Sequence, residues 1–311
     1  MKVYRSEADI EPGFGPSAVT IGKFDGVHSG HRAVLGRLVA EARAAELVPT
    51  VVTFDRNPLA VIAPSRFPEP LVSLEQKLEL LAETGVDATL VVRFDEGFAA
   101  QTAERFVSSY LVDALHAARV YVGSDFHFGV GNTGDVALLE GLGRQHGFEV
   151  ASIDDVVGDA GRRVSSTRIR GLLAEGDVAE AARLLGRCPA IRGTVVHGAK
   201  RGRELGFPTA NLSPRSEGLI PADGIYAGWL VDGGVRHPAA ISVGNNPTFE
   251  GVPQKQVEAH VIDETLDLYG HEIEVVFVER IRGMVAFQGI PALIDQIADD
   301  VRVARTLLGV A

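Results

Sequence analysis

The sequence is short of what an exported, membrane-spanning or nucleic-acid-binding chain relies on. It holds one cysteine, Cys188, so no disulfide can form within it, which suits a reducing compartment. Beside Pro189 that lone thiol reads as inert. No apolar run is long enough to span a bilayer. The opening residues Met1-Lys2-Val3-Tyr4-Arg5-Ser6 lack the apolar centre of a signal peptide. A soluble, cytoplasmic protein with no membrane partner is expected. Basic charge is also scarce: 30 Lys and Arg stand against 41 Asp and Glu, a formal net charge of −11. Neutralising a nucleic-acid backbone needs a basic surface, so the balance argues against a general nucleic-acid binder and leaves room for one local basic site for a small anion. The Walker A pattern G-x-x-x-x-G-K-[ST] occurs nowhere.

What is present is enough for two domains: 311 residues, 46% of them apolar. Residues 1–186 alternate strand and helix patterns. Ala18–Ile21, Thr50–Phe54, Ala88–Val92, Arg119–Val122 and Glu149–Ile153 are strand-like. Between them Arg32–Glu46, Leu74–Ala82, Thr102–Leu111 and Leu138–His146 carry apolar residues at helical spacing. Alternation of this kind predicts a doubly wound, mostly parallel Rossmann-like sheet that binds ligands at the carboxyl ends of its strands. Leu184-Leu185-Gly186-Arg187-Cys188-Pro189 then closes the last helix. Residues 187–311 read differently: short strand-like runs at Ile191–Val196, Gly224–Leu230, Val235–Val243, Gln256–Ile262 and Glu272–Val278, then one helix over Ile290–Leu308. That pattern predicts a small antiparallel β-barrel with a terminal helix.

The first domain is organised around Thr20–Arg32, T-I-G-K-F-D-G-V-H-S-G-H-R. An apolar strand breaks at Gly22, turns again at Gly26 and enters a helix near Gly30, with His28 and His31 across that entry. Strand, glycine turn and helix N-terminus together present backbone N–H groups to a phosphate, and the two imidazoles add donors. A tight turn with two surface histidines is the plain alternative; the agreement of strand, glycines and helix favours nucleotide binding. Further strand ends carry Phe54-Asp55-Arg56-Asn57-Pro58 and Val122-Gly123-Ser124-Asp125-Phe126-His127-Phe128-Gly129. Asn57 offers both a donor and an acceptor, or simply ends the strand in a turn. Gly129-x-Gly131-x-x-Gly134 matches a dinucleotide fingerprint but stands off the strand end, so a mobile loop is expected. In Val164-Ser165-Ser166-Thr167-Arg168-Ile169-Arg170 either serine can cap a helix. Two arginines in its first turn, where the helix dipole disfavours cations, suit a bound anion.

In the second domain Gly198-Ala199-Lys200-Arg201-Gly202-Arg203 is a glycine-rich, cationic flap suited to a polyphosphate. Pro208-Thr209-Ala210-Asn211 follows. Thr209 and Asn211 are two apart on a strand and point the same way, a hydroxyl and an amide oxygen of the hard kind that Mg²⁺ takes.

The string G-K-F-D-G-V-H-S-G-H resembles the H-x-G-H signature of nucleotidyltransferases, and in particular the FMN adenylyltransferase module of bifunctional bacterial FAD synthetases. The segment G-F-P-T-A-N resembles the hallmark of riboflavin kinase, and the likeness continues in Asp223–Gly228, Ser242–Phe249 and Val257-Glu258-Ala259-His260-Val261. The resemblance spans nearly the whole chain, in the expected order. It implies that His28 and His31, with Gly22, Phe24, Asp25 and Gly26 of the turn, contact ATP. It implies a second phosphate clamp in Ser165, Ser166, Thr167 and Arg168. Asn57 and Asp125 become polar contacts near the flavin, with Phe126 and Phe128 as stacking candidates, one of which is expected in the core. Gly198, Lys200, Arg201 and Gly202 become the kinase's phosphate loop, and Glu258 its catalytic base. Asn57 is a departure, because the family has histidine there; Arg282–Phe287 is another. The expected activity is ATP-dependent phosphorylation of riboflavin to FMN, then adenylylation of FMN by a second ATP to give FAD, with Mg²⁺ as cofactor. The sequence leaves homo-oligomerisation open.

Overall fold

A computed structural model describes residues 1–153, 164–198, 202, 205–244, 255–285, 287 and 289–310. The chain forms two compact units, Met1–Ser165 and Ser166–Ala311.

The first unit is built on six strands: β1 (Lys2–Tyr4), β2 (Ser17–Ile21), β3 (Val48–Phe54), β4 (Ala88–Val92), β5 (Ala117–Gly123) and β6 (Glu149–Ile153). They form one sheet in the order β1-β4-β3-β2-β5-β6, every neighbouring pair parallel. Parallel strands need crossovers, supplied here by α1 (Ser29–Ala44), α2 (Leu59–Ile62), α3 (Leu74–Ala82), α4 (Glu96–Ala99), α5 (Ala103–Phe106) and α6 (Val136–His146). On one face Ala18, Val51 and Tyr121 pack with Leu35 and Leu38 of α1 and Leu81 of α3. On the other, Val19, Val52, Leu90 and Val120 meet Phe106, Tyr110, Leu111 and Leu139. Alternate residues of each strand therefore feed opposite cores, which is why these strands read as unbroken apolar runs. The sequence pattern places a helix over Thr102–Leu111; the structure has α5 continuing as a π-helix over Val107–Ala114, closed by Leu115 N–H donating to Tyr110 O at 3.0 Å.

The strand order has a consequence for binding. From β2 the chain steps outward through β3 and β4, then returns to place β5 on the other side of β2. The carboxyl ends of β2 and β5 thus flank a topological switch point, where open α/β sheets bind ligands.

The second unit opens with α7 (Ser166–Glu175) and α8 (Val178–Leu185). Six strands follow: β7 (Ala190–Val196), β8 (Ala210–Leu212), β9 (Gly224–Asp232), β10 (Val235–Gly244), β11 (Gln256–Val261) and β12 (Glu272–Arg282). They close into a barrel in the order β10-β11-β8-β7-β12-β9, all pairs antiparallel. The terminal helix α9 (Ile290–Leu308) covers the barrel with Ala304 against Ala227 and Ile262. Compactness divides the chain before α7, whereas the Gly/Pro punctuation follows α8. Two bonds explain why α7 goes with the barrel: Ala222 N–H donates to Leu173 O at 2.8 Å, and Arg280 Nη1 to Glu175 O at 2.9 Å. Among the described residues no helix is long and apolar enough to cross a membrane.

Candidate active sites

In the first unit the turn after β2 is strained. Phe24 (φ 46°) and Val27 (φ 36°) lie in the left-handed region, with Gly26 (φ 77°) between them. Such conformations cost ~1–3 kcal/mol each for residues with a side chain and persist only where the surroundings impose them. The surroundings do so by burial: Phe24 is 4% exposed and Val27 fully enclosed. Gly22 is required because a Cβ there would lie 2.9 Å from the Phe24 ring. The outcome of the turn is the placement of His28 as N-cap of α1, its Nδ1 accepting from the His31 N–H at 3.3 Å. An accepting Nδ1 puts the ring proton on Nε2, where it is a donor. The His28 and His31 rings stack at 3.6 Å, 13° from parallel, and Phe24 meets His31 edge-on at 5.1 Å. Two imidazoles at a helix N-terminus, at the switch point of the sheet, are an arrangement whose donors and dipole suit an anion.

The other expected contacts in this unit take individual positions. Asp25 Oδ1 accepts from Leu71 N–H at 2.9 Å, so this carboxylate also holds the chain leading to α3. Asn57 Oδ1 accepts from Leu59 N–H at 3.0 Å, a strand-ending turn made through its acceptor. Asp125 is exposed just beyond β5; Phe126 is half-buried and stacks at 5.3 Å on Phe128, which is 8% exposed and belongs to the core. The Gly129–Gly134 segment is bridged rather than open: Phe128 and Gly134 exchange N–H···O bonds of 3.0 and 2.9 Å. A Cβ on either glycine would collide with Ala103. Ser165 is the last residue of this unit.

Sequence reasoning passed over Lys77. It is 8% exposed, and its Nζ donates to Phe54 O at 2.8 Å and to Lys23 O at 3.4 Å. Burial pushes its pKa down to about 8, with Asp25 and Asp55 acting against that shift. The signal was readable, since position 77 falls on the same helical stripe as Leu74, Leu78 and Leu81.

In the second unit Ser166, Thr167 and Arg168 form the first turn of α7, and Arg168 Nη2 lies 3.1 Å from Glu180 Oε1 on α8. The cation in that turn therefore has a carboxylate counter-charge within the chain, which the sequence reading did not anticipate. In the barrel, β8 lies between β7 and β11, with Asn211 opposite Val196 on one side and Glu258 on the other. Thr209 Oγ1 donates to Glu258 Oε2 at 3.3 Å, and Asn211 Nδ2 donates to both Thr209 O and Oγ1 at 3.2 Å. The two expected metal ligands and the expected base are thus gathered on three adjoining residues. Gly198 passes so close to Asn211 that a Cβ would overlap its Oδ1. The Gly202 carbonyl accepts from Phe207 N–H at 2.8 Å. His260 Nδ1 lies 2.8 Å from Pro208 O, and its ring meets Phe207 edge-on at 5.4 Å. Lys200 and Arg201 lie outside the described residues, as do Asn245–Phe249. Among the described residues no group of three His, Cys, Asp or Glu gathers as a metal centre. The hydroxyl, amide oxygen and carboxylate here are nonetheless hard oxygen donors of the kind that fits Mg²⁺, and the absence of a side chain at Gly198 lets the Asn211 amide oxygen keep its place.

A parallel nucleotide-binding sheet with a histidine pair at its switch point, joined to a barrel with a Thr/Asn/Glu cluster, defines a two-part nucleotide-using transferase. The FAD synthetase family matches residues 12–168, and the riboflavin kinase family matches residues 185–308. The bifunctional riboflavin kinase/FMN adenylyltransferase of Escherichia coli (strain K12) is 43% identical over 292 residues, 94% of this chain and 92% of the relative. That of Pseudomonas fluorescens is 38% identical over 99% of this chain and 98% of its own. A Streptococcus pneumoniae crystal structure described as a macrolide-efflux protein superposes with a TM-score of 0.85 at 32% identity, covering 97% of this chain and 98% of that one. The chain belongs to the family of bifunctional riboflavin kinases/FMN adenylyltransferases.

Proposed function

We propose that the barrel phosphorylates riboflavin to FMN and that the parallel-sheet domain adenylylates FMN to FAD, each step using one ATP. The observation that carries this reading is the Thr209–Asn211–Glu258 cluster in a chain that also holds the His28–His31 pair. A protein that only sensed flavin or nucleotide would have no use for a carboxylate held beside two metal-type oxygens. In the kinase step Glu258 accepts the proton of the ribityl 5′-hydroxyl as that oxygen attacks the γ-phosphorus of ATP, and ADP leaves. Gly198, Lys200, Arg201 and Gly202 hold the phosphates. Thr209 and Asn211 would hold Mg²⁺, whose bound charge offsets that of the phosphates. Catalysis beyond the proton transfer is positioning and electrostatics.

In the adenylyl step the FMN phosphate attacks the α-phosphorus of ATP and pyrophosphate leaves. The nucleophile is already an anion at neutral pH, so no base is required. His28, His31 and the Ser165–Arg168 segment stabilise the charge on the transferring group; Gly22, Phe24, Asp25 and Gly26 shape the ATP side, and Asn57, Asp125, Phe126 and Phe128 the flavin side. The adenylylating domain then runs over 1–186 and the kinase domain over 187–311, in a cytoplasmic protein. The test is the fate of labelled phosphate in the full chain supplied with riboflavin and Mg²⁺. Label from the γ-phosphate of ATP is expected in FMN and retained in FAD, and label from the α-phosphate in FAD alone. α-Label absent from FAD while γ-label reaches FMN would remove the adenylylating assignment.

A further inference from the structure

We propose that Lys77 is a positioning residue for adenylyl transfer: its side chain ties the turn after β2 to the end of β3 and so fixes the strained loop that presents His28 and His31. The inference rests on the reading of that histidine pair as the adenylyl-transfer site.

The geometry is specific to that loop. The Lys77 ammonium donates to Lys23 O, the residue ahead of left-handed Phe24, and to Phe54 O, the last residue of β3. Lys23 O also accepts from Thr53 Oγ1 at 3.3 Å, so one carbonyl is held from two sides. A second tie from the same region reaches the next position but one: Leu71 N–H bonds Asp25 Oδ1 at 2.9 Å. The helix that carries Lys77 is itself anchored by a reciprocal capping box between Ser73 and Gln76, at 3.2 and 2.9 Å. The strained turn is therefore clamped by α3 and its leading segment on one flank, while its other end is His28, the cap of α1. A conformation that the sequence disfavours locally needs such external restraint.

The chemistry fits a restraint better than a packing role. A size-matched apolar side chain would fill the same space without enclosing a charge, and such replacements of buried ionic groups are often neutral or stabilising. The lysine provides directional donors to two backbone carbonyls, one at the strained turn and one at the strand end. Burial lowers its pKa to about 8 and the neighbouring Asp25 and Asp55 oppose that, so the ammonium persists at neutral pH.

The test uses the full chain, in which riboflavin phosphorylation is an internal control for an intact preparation. Lys77→Met should lower kcat for FAD formation from FMN by about 10²-fold, the scale of an ångström-level misplacement of catalytic groups. KM for FMN and for ATP should move by less than about threefold, because the interactions lost are those made in the transition state. Riboflavin phosphorylation should be unchanged. Lys77→Arg, which restores cationic donors, should recover about tenfold or more of the lost kcat. Lys77→Met at wild-type kcat overturns the proposal. So does a loss that Lys77→Arg shares in full, or one that Leu78→Ala on the same helix reproduces, because either would mean that packing and not the donors is what counts. If the wild-type chain forms no FAD at all, it is the adenylylating reading that fails, which the wild-type assay shows separately.

Discussion

Replacing Glu258 with Gln isolates the proton-accepting role from the shape of the kinase site. Thr209 Oγ1 donates to Glu258 Oε2 at 3.3 Å, and a glutamine of the same length offers Oε1 in that place. Asn211 lies opposite in strand register, so its bonds to Thr209 at 3.2 Å survive as well. The change thus keeps volume and one hydrogen bond and removes the carboxylate's charge and basicity. General-base catalysis contributes about 10²–10⁴-fold. At about 1.4 kcal/mol per tenfold this is ~3–5 kcal/mol of transition-state stabilisation. The low end is expected here, because phosphoryl transfer rests mainly on positioning and charge. Steady-state riboflavin phosphorylation should therefore lose about 10²-fold in kcat. FAD formation from supplied FMN, followed in the same preparation, should stay within about twofold, since Glu258 belongs to the barrel and shares no partner with the His28–His31 pair among the described contacts. A Glu258→Gln variant that phosphorylates riboflavin at the wild-type rate would refute the base assignment. A variant that loses both activities would show instead that Glu258 supports the fold.

Three other outcomes follow from the coordinates. His28→Ala removes the cap of α1 and one of two rings stacked at 3.6 Å; FAD formation should fall sharply with FMN formation kept, and cap loss alone should cost ~0.5–2 kcal/mol in urea unfolding. Lys77 has a folded pKa of about 8 against an ordinary 10.5. Below the lower value both states are protonated and the burial penalty is complete; between the two, only the unfolded chain keeps its proton, so the penalty fades as pH rises. The stability of wild type relative to Lys77→Met should accordingly improve from about pH 8 to 10.5 in denaturant titrations, and a flat difference would contradict the burial of this ammonium. Arg282 makes a two-bond pair with Asp300, Nε–Oδ1 2.8 Å and Nη2–Oδ2 2.7 Å, on a carboxylate 4% exposed. Arg282→Met leaves that charge enclosed and should lower the unfolding free energy by ~3–5 kcal/mol.

Much of the architecture was readable because its periodicities are strong. Leu74–Ala82, Ala88–Val92 and Glu149–Ile153 have the same bounds in sequence pattern and structure. Strand β1 was missed because Lys2–Tyr4 is three residues long, too short to display a period of two. The sequence pattern gives ordinary helix only as far as Leu111 of the π-helix Val107–Ala114, since a widened turn draws on the same residue types. In the barrel, the two-residue spacing of Thr209 and Asn211 predicts one shared direction, and the structure bonds Asn211 to Thr209 and Thr209 to Glu258. Pairings between distant segments left no local mark: Arg168 with Glu180, His260 with Pro208 and the carbonyls around Lys77 arise from tertiary packing. Lys77 shows how a composition habit misleads, because a lysine is ordinarily assigned to the solvent face even when its helical position lies on the apolar stripe.

The most direct single measurement is a chromatographic time course of riboflavin with the purified chain, ATP and Mg²⁺. FMN rising first and FAD following from it is the expected sequence. FMN that accumulates with no FAD, or riboflavin that remains unchanged while ATP binds, would contradict the assignment of two consecutive transfers to this chain.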